Sequence, residues 1–164
     1  MLYDEKQIEE IYQRNLDAAK RLLSTLQVAD GRMPKVGGLS GWVYEQTIRY
    51  CLEKELLYRG LRISIEEQVP ISGRAKVDFL LDGKVAIEVK SLGSFGSDID
   101  KFRKYIPVVL EKGWVYLYLT RRERHEPYRE AFEELFSRRH AFFLDTEGEW
   151  ARFVETVLKY VSGF

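Results

Sequence analysis

Between residues 4 and 27 the apolar positions fall at Ile8, Ile11, Tyr12, Leu16, Ala19, Leu22, Leu23 and Leu26. This three-and-four spacing predicts one long amphipathic helix. A helix of that length either packs on the rest of the domain or pairs with a second copy of itself, so a homodimer through it is one expectation. Residues 29–41, with Asp30-Gly31, Pro34 and Gly37-Gly38, read as a loop or hinge. They divide the chain into an N-terminal helix and hinge (1–36) and a main domain (37–164). Ser40 is placed to cap a second helix over 41–59, and Gly60 to end it. Its buried stripe is Ile48, Leu52 and Leu56, with Glu45 on the same stripe.

The period then shortens. Residues 61–71, 75–81 and 84–90 have strand character, with Asp82-Gly83 between the last two. Residues 91–97 are rich in Gly and Ser and predict a loop. Ser97 is a candidate cap for a third helix bearing Ile99, Phe102, Ile106, Val109 and Leu110, which Pro107 is expected to kink or restart. Residues 114–120 alternate as a strand, 126–138 form a helix, 141–144 a short strand and 149–161 a last helix. The order predicts an α/β fold, a mixed sheet flanked by helices, with the long helix at its N-terminal end.

Composition narrows the class without changing that picture. The 164 residues are 45% hydrophobic and 32% charged, enough apolar content for one compact core. Lys plus Arg and Asp plus Glu are equal at 26 each, which excludes a globally basic nucleic-acid binder but not a local patch. No apolar run reaches membrane-spanning length, and Met1-Leu2-Tyr3-Asp4-Glu5-Lys6 lacks the start of a signal peptide. Cys51 is alone, and His125 and His140 have no zinc-site spacing. The expectation is a cytoplasmic protein without a membrane partner.

The chemistry concentrates in Lys76-Val-Asp78 and Glu88-Val-Lys90. Along a strand Glu88 and Lys90 share one face, and Val85, Ile87 and Val89 the other. A two-residue Asp82-Gly83 turn would put Asp78 opposite Ile87, on the apolar face. A three-residue loop, Leu81-Asp82-Gly83 with Gly83 left-handed, puts Asp78 opposite Ala86 and beside Glu88. It also gathers Val77, Phe79, Val85, Ile87 and Val89 on the other face. Burial selects the second register, because a slip of one residue flips every side chain. Glu45, a carboxylate on a buried stripe, needs a cation nearby. Three carboxylates beside one lysine suit a hard divalent cation such as Mg²⁺.

These residues resemble the PD-(D/E)XK nuclease superfamily, whose signature is an acid on one strand and an acid-x-Lys triplet on the next. Asp78 and Glu88-Val89-Lys90 match it, Glu45 matches the acid often carried by the preceding helix, and Val77 stands at the proline. The element order from 41 to 120 is similar to the superfamily core, closest to archaeal Holliday-junction resolvases and Mrr- or RecB-like nucleases. Lys101 stands where RecB-like members carry Gln, four before Tyr105, so that subgroup is not assigned. The resemblance implies a restriction-endonuclease-like sheet and metal-dependent hydrolysis of DNA phosphodiesters, in repair, recombination or restriction. Asp78, Glu88 and Glu45 would be the metal ligands, with Mg²⁺ replaceable by Mn²⁺, and Lys90 the fourth catalytic residue. Lys101, Arg103, Lys104, Tyr105, Arg121 and Arg122 are the candidates for DNA contact. Trp42 and Tyr44 are expected in the core, ahead of stacking on bases. Two rivals stand beside this reading. One is a nuclease-fold module without catalysis that binds nucleic acid or assembles proteins. The other is an unrelated α/β domain in which Asp78 and Glu88 lie apart.

Overall fold

The computed structural model describes residues 1–30, 38–91, 96–122, 129–130 and 132–161. Residues 31–37 of the loop expected at 29–41 and His125 lie outside the described residues, as do the side chains of Ser97 and Lys101, while 29–30 and 39–41 are helical.

Two helices come first, α1 (Glu5–Asp30) and α2 (Leu39–Tyr58). Three strands follow, β1 (Ile65–Ser72), β2 (Ala75–Leu81) and β3 (Val85–Lys90). Then come α3 (Gly96–Glu111), β4 (Val115–Thr120), α4 (Glu133–Ser137), β5 (Ala141–Phe143) and α5 (Glu149–Val161). The sheet order is β1-β2-β3-β4-β5. The first three strands form an antiparallel meander, and β4 and β5 run parallel to β3. The chain is therefore an α/β protein with a five-stranded mixed sheet between helices. Among the described residues no helix is long and apolar enough to cross a membrane.

Alternation along the strands sorts the core into two halves. Val85, Ile87, Val89, Leu117 and Leu119 meet Ile8, Tyr12 and Leu16 of α1, Ile48 and Leu52 of α2, and Trp150 and Phe153 of α5. Ala86, Tyr116 and Tyr118 face Ile106 and Val109 of α3 and Leu135 of α4. The first turns of α1 thus belong to the same core as the sheet, whereas Leu22 and Leu26 further along it stand exposed.

Several expectations are corrected here. Helix α2 starts at Leu39 with Gly38 as its cap residue, in left-handed backbone, so Ser40 lies inside the first turn. It ends as expected at Gly60 (φ 77°). There the amides of Gly60 and Leu61 turn back to the carbonyls of Leu57 and Leu56, a closure that left-handed glycine makes without strain. Helix α3 continues through Pro107 rather than breaking. Pro107 is exposed, so the carbonyl that loses its partner can turn to water. Trp42 is 58% exposed, while Tyr44 is buried as expected.

The β2–β3 turn also differs from the expected one. Leu81 pairs with Val85 and Phe79 with Ile87, so the loop is Asp82-Gly83-Lys84. Asp82 (φ 52°) and Gly83 (φ 64°) are both left-handed, as in a type I′ turn. This register lies two residues from the expected one. A shift of two keeps every side chain of β3 on its face. Val77 alone departs, packing with the α3 side while Phe79 packs with the α1 side. At the step between them Gln68 of β1 is left-handed at φ 52°, and the Asp78 carboxylate accepts from the Val89 amide of β3.

Candidate active site

Strands β2 and β3 part beyond the Phe79–Ile87 pair. There the amide of Val89 donates to Asp78 Oδ2 at 2.8 Å, so a side chain takes the place that a strand carbonyl would hold. Asp78 Oδ1 accepts from Gln68 Nε2 at 3.3 Å. With both oxygens engaged, Asp78 is fixed at the opening and only 8% exposed.

Glu88 stands within hydrogen-bonding reach of Asp78 and is 5% exposed. Lys90 Nζ lies 3.6 Å from Glu88 Oε1, but Oε2 is buried without a hydrogen-bond partner among the described residues. Burial, then the Asp78 charge, raises the Glu88 carboxyl well above its ordinary range. Glu45 reaches the same point from α2. Burial, then Asp78, pushes its carboxyl up to about 8. Helix α2 is held over the opening by Gln46 and Arg49, which bond Glu67 of β1 at 2.9 and 3.0 Å. Glu45, Asp78, Glu88 and Lys90 are therefore brought together as expected.

Two carboxyls that resist ionisation and one orphaned buried oxygen describe a place short of positive charge. This donor set suits a hard divalent cation, since carboxylate oxygens are what Mg²⁺ binds. Among the described residues, though, no three His, Cys, Asp or Glu side chains stand arranged to hold a metal ion as they are. The cation at hand is Lys90, 3.6 Å from Glu88.

A pH dependence follows. Because Glu45 and Glu88 are raised above their unfolded values, the native state holds extra protons above about pH 4.5. Their contribution to stability is therefore present below that pH and fades as pH rises towards 8 and beyond. In EDTA, Glu88→Gln is expected to gain on wild type by about 1–3 kcal/mol between pH 5 and 8, the usual cost of an unsatisfied buried group. Urea unfolding at the two pH values measures it. An unchanged gap between variant and wild type would refute the assignment.

The basic candidates separate. Arg103 and Lys104 are exposed on α3, and Tyr105 is half-buried against the α3-side core. Arg121 is committed elsewhere. Its Nε lies 2.9 Å from both Glu9 oxygens, and its guanidinium stacks 4.9 Å from the Tyr12 ring, pinning α1 to the end of β4. Arg122 is exposed and borders a crevice where six carboxylates, Glu9 and Asp145 among them, outnumber Lys6, Arg121 and Arg122, surroundings that disfavour phosphate. Three comparisons, with protein-family models, curated proteins and solved structures, give no match to this chain.

Two residues that matter locally escaped the sequence reading. Gln68 carries no motif, and its one signal, an uncharged amide opposite Asp78, appears only once β1 and β2 are paired. Glu55 falls four residues after Cys51 on the buried side of α2 and is fully buried. Its Oε1 accepts from the amides of Leu2 and Tyr3 at 2.8 and 2.9 Å, and Arg59 Nη1 lies 3.1 Å from Oε2. Cys51 is inert, its thiol pushed up to about 12 by burial first and Glu55 second.

Proposed function

We propose that this chain is a divalent-metal-dependent DNA nuclease of the PD-(D/E)XK type, with a restriction-endonuclease-like fold. The observation that carries it is the meeting of Glu45, Asp78, Glu88 and Lys90 where β2 and β3 part, with Glu88 Oε2 buried and without a hydrogen-bond partner among the described residues. The order of helix, three antiparallel strands, helix and parallel strand supports the fold assignment.

Asp78 and Glu88 would hold Mg²⁺ or Mn²⁺, with Glu45 contributing from the helix side. The bound cation supplies a water of lowered pKa and positive charge at the phosphate oxygens. Asp78 keeps its direction because Val89 and Gln68 hold its two oxygens. Lys90, one-third exposed, presents an ammonium at the opening that offsets charge on the phosphate or on the attacking oxygen. Arg103 and Lys104 would contact backbone phosphates without reading bases. With zero net charge and so few phosphate contacts, DNA affinity is expected to fall by no more than about tenfold to a hundredfold between 50 and 200 mM salt. Fluorescence anisotropy in EDTA measures this, and a salt-independent affinity would exclude a phosphate-led mode.

The deciding experiment is cleavage of labelled duplex, single-stranded, flap and four-way-junction DNA with Mg²⁺ or Mn²⁺ against EDTA. Metal-dependent products support the reading. Intact DNA throughout, from folded protein, overturns it in favour of a silent nuclease-fold module that binds DNA or assembles proteins. That second reading draws on the lack of a ready-made metal arrangement among the described residues. A homodimer through α1 would use exposed Leu22 and Leu26, and a one-chain mass by light scattering at micromolar concentration would exclude it.

A further inference from the structure

At the far edge of the sheet, the end of α4, the entry to the edge strand β5 and one flank of α5 border an open pocket of about 220 Å³. It lies three strands from Asp78, roughly 14 Å at about 4.8 Å per strand. Every charged side chain lining it is a cation: Arg138, Arg139, Arg152 and Lys159. Glu134 pairs with Arg138 at 2.8 Å and Glu149 with Arg152 at 2.8 Å. Arg139 and Lys159 have no carboxylate within salt-bridge distance among the described residues.

The pocket is held by a rigid frame. Arg152 donates to the carbonyl of Arg139 at 2.6 Å and to that of Ala141, with its guanidinium 4.1 Å over the Phe142 ring. This fixes Arg139 in left-handed backbone at φ 61°, a conformation that costs a non-glycine residue about 1–2 kcal/mol. His140, 5% exposed, forms the floor, its Nε2 3.0 Å from the Tyr160 hydroxyl. Burial first, then Arg138, Lys159 and Arg152, push its imidazole down to about 4. It is neutral at pH 7 and able to hydrogen-bond without adding to the repulsion. Left-handed backbone at Arg139, a neutral His140–Tyr160 pair and four cations, two of them without a salt bridge among the described residues, together form a cationic pocket.

We propose that this pocket is an oxyanion site that takes one phosphate group. Arg138, Arg139 and Lys159 supply the charge, and the His140–Tyr160 pair contacts the phosphate from below. The volume admits a tetrahedral oxyanion with a few waters at about 30 Å³ each. The phosphate comes either from inorganic phosphate in solution or from a nucleic-acid backbone, and the chemistry of recognition is the same. The site is independent of the carboxylate cluster, so it stands whether or not the chain cleaves DNA.

The test is an NMR titration of the His140 ring in the full chain, in EDTA at pH 6.5. One arm adds inorganic phosphate, a second adds a short single-stranded oligonucleotide without terminal phosphate, and a third adds NaCl to equal ionic strength. Saturable shifts with phosphate alone identify the free ion as occupant, and saturation with the oligonucleotide identifies backbone phosphate. In either case the imidazole pKa rises, because an anion now faces it. Arg139→Ala with Lys159→Ala, both exposed positions, is expected to weaken binding about a hundredfold, near tenfold for each charge-assisted contact, without lowering the melting temperature. Shifts no larger than those from NaCl, or binding that survives the double substitution, overturn the proposal.

Discussion

For the proposed nuclease activity, Asp78→Ala and Lys90→Ala are each expected to lower metal-dependent DNA cleavage by at least about 10²–10³-fold, the loss typical of removing one group that stabilises developing charge. Asp78 does two things at once, accepting the Val89 amide and adding charge to the cluster. Asp78→Asn separates them, since the amide oxygen still accepts from Val89 while the charge is gone. Cleavage by Asp78→Asn should be as poor as by Asp78→Ala. Its stability in EDTA at pH 8 should exceed that of wild type, because Glu45 and Glu88 then ionise against one fewer negative neighbour. Opposed signs for activity and stability mark a site held together against its own repulsion. A cluster with a structural role would lose both. Cleavage within threefold of wild type in Asp78→Asn would remove the metal assignment.

Glu55→Ala is expected to lower stability by about 3–5 kcal/mol, the range for breaking a buried ion pair from one side. For a chain of this size that corresponds to roughly 6–20 °C in melting temperature. The substitution takes from Arg59 its nearer carboxylate, leaving Glu155 at 3.7 Å, and leaves the amides of Leu2 and Tyr3 without their acceptor. It also removes the oxygen that lies 3.4 Å from Trp150 Nε1 in the core. Glu55→Gln keeps the acceptor oxygen and should lose less than half as much. Calorimetry of the two variants decides it, and a shift below 2 °C in Glu55→Ala would show that the N-terminal residues are held by something else.

The elements legible in the sequence were those whose signal is repeated. Helix α5 runs from Glu149 to Val161 in both reading and structure, because a single strong apolar stripe has only one period that fits. The β2–β3 pairing was legible only as parity. Hydrophobic alternation cannot tell a loop over 81–83 from one over 82–84, since both keep Val85, Ile87 and Val89 on one face. That parity was enough to bring Asp78 beside Glu88. Arg121 was illegible for a different reason: its partner Glu9 is 112 positions away, and no local spacing announces an ion pair between distant elements. Gln68 likewise acts through a tertiary partner, whereas Glu55 had a local sign in its i,i+4 spacing to Arg59 but none of its bonds to Leu2 and Tyr3.

The attachments of α1 also bear on the order of events during synthesis. Glu5 accepts the amide of Trp150, 145 residues later, and the apolar face of Ile8, Tyr12 and Leu16 is completed by β4, β5 and α5. Translation proceeds at about 5–20 residues per second, so α1 leaves the ribosome roughly 7–30 s before its last partners do. For that interval α1 has α2 as its partner, through contacts such as Tyr12 on Tyr44, but lacks the sheet and α5 surface that complete its burial.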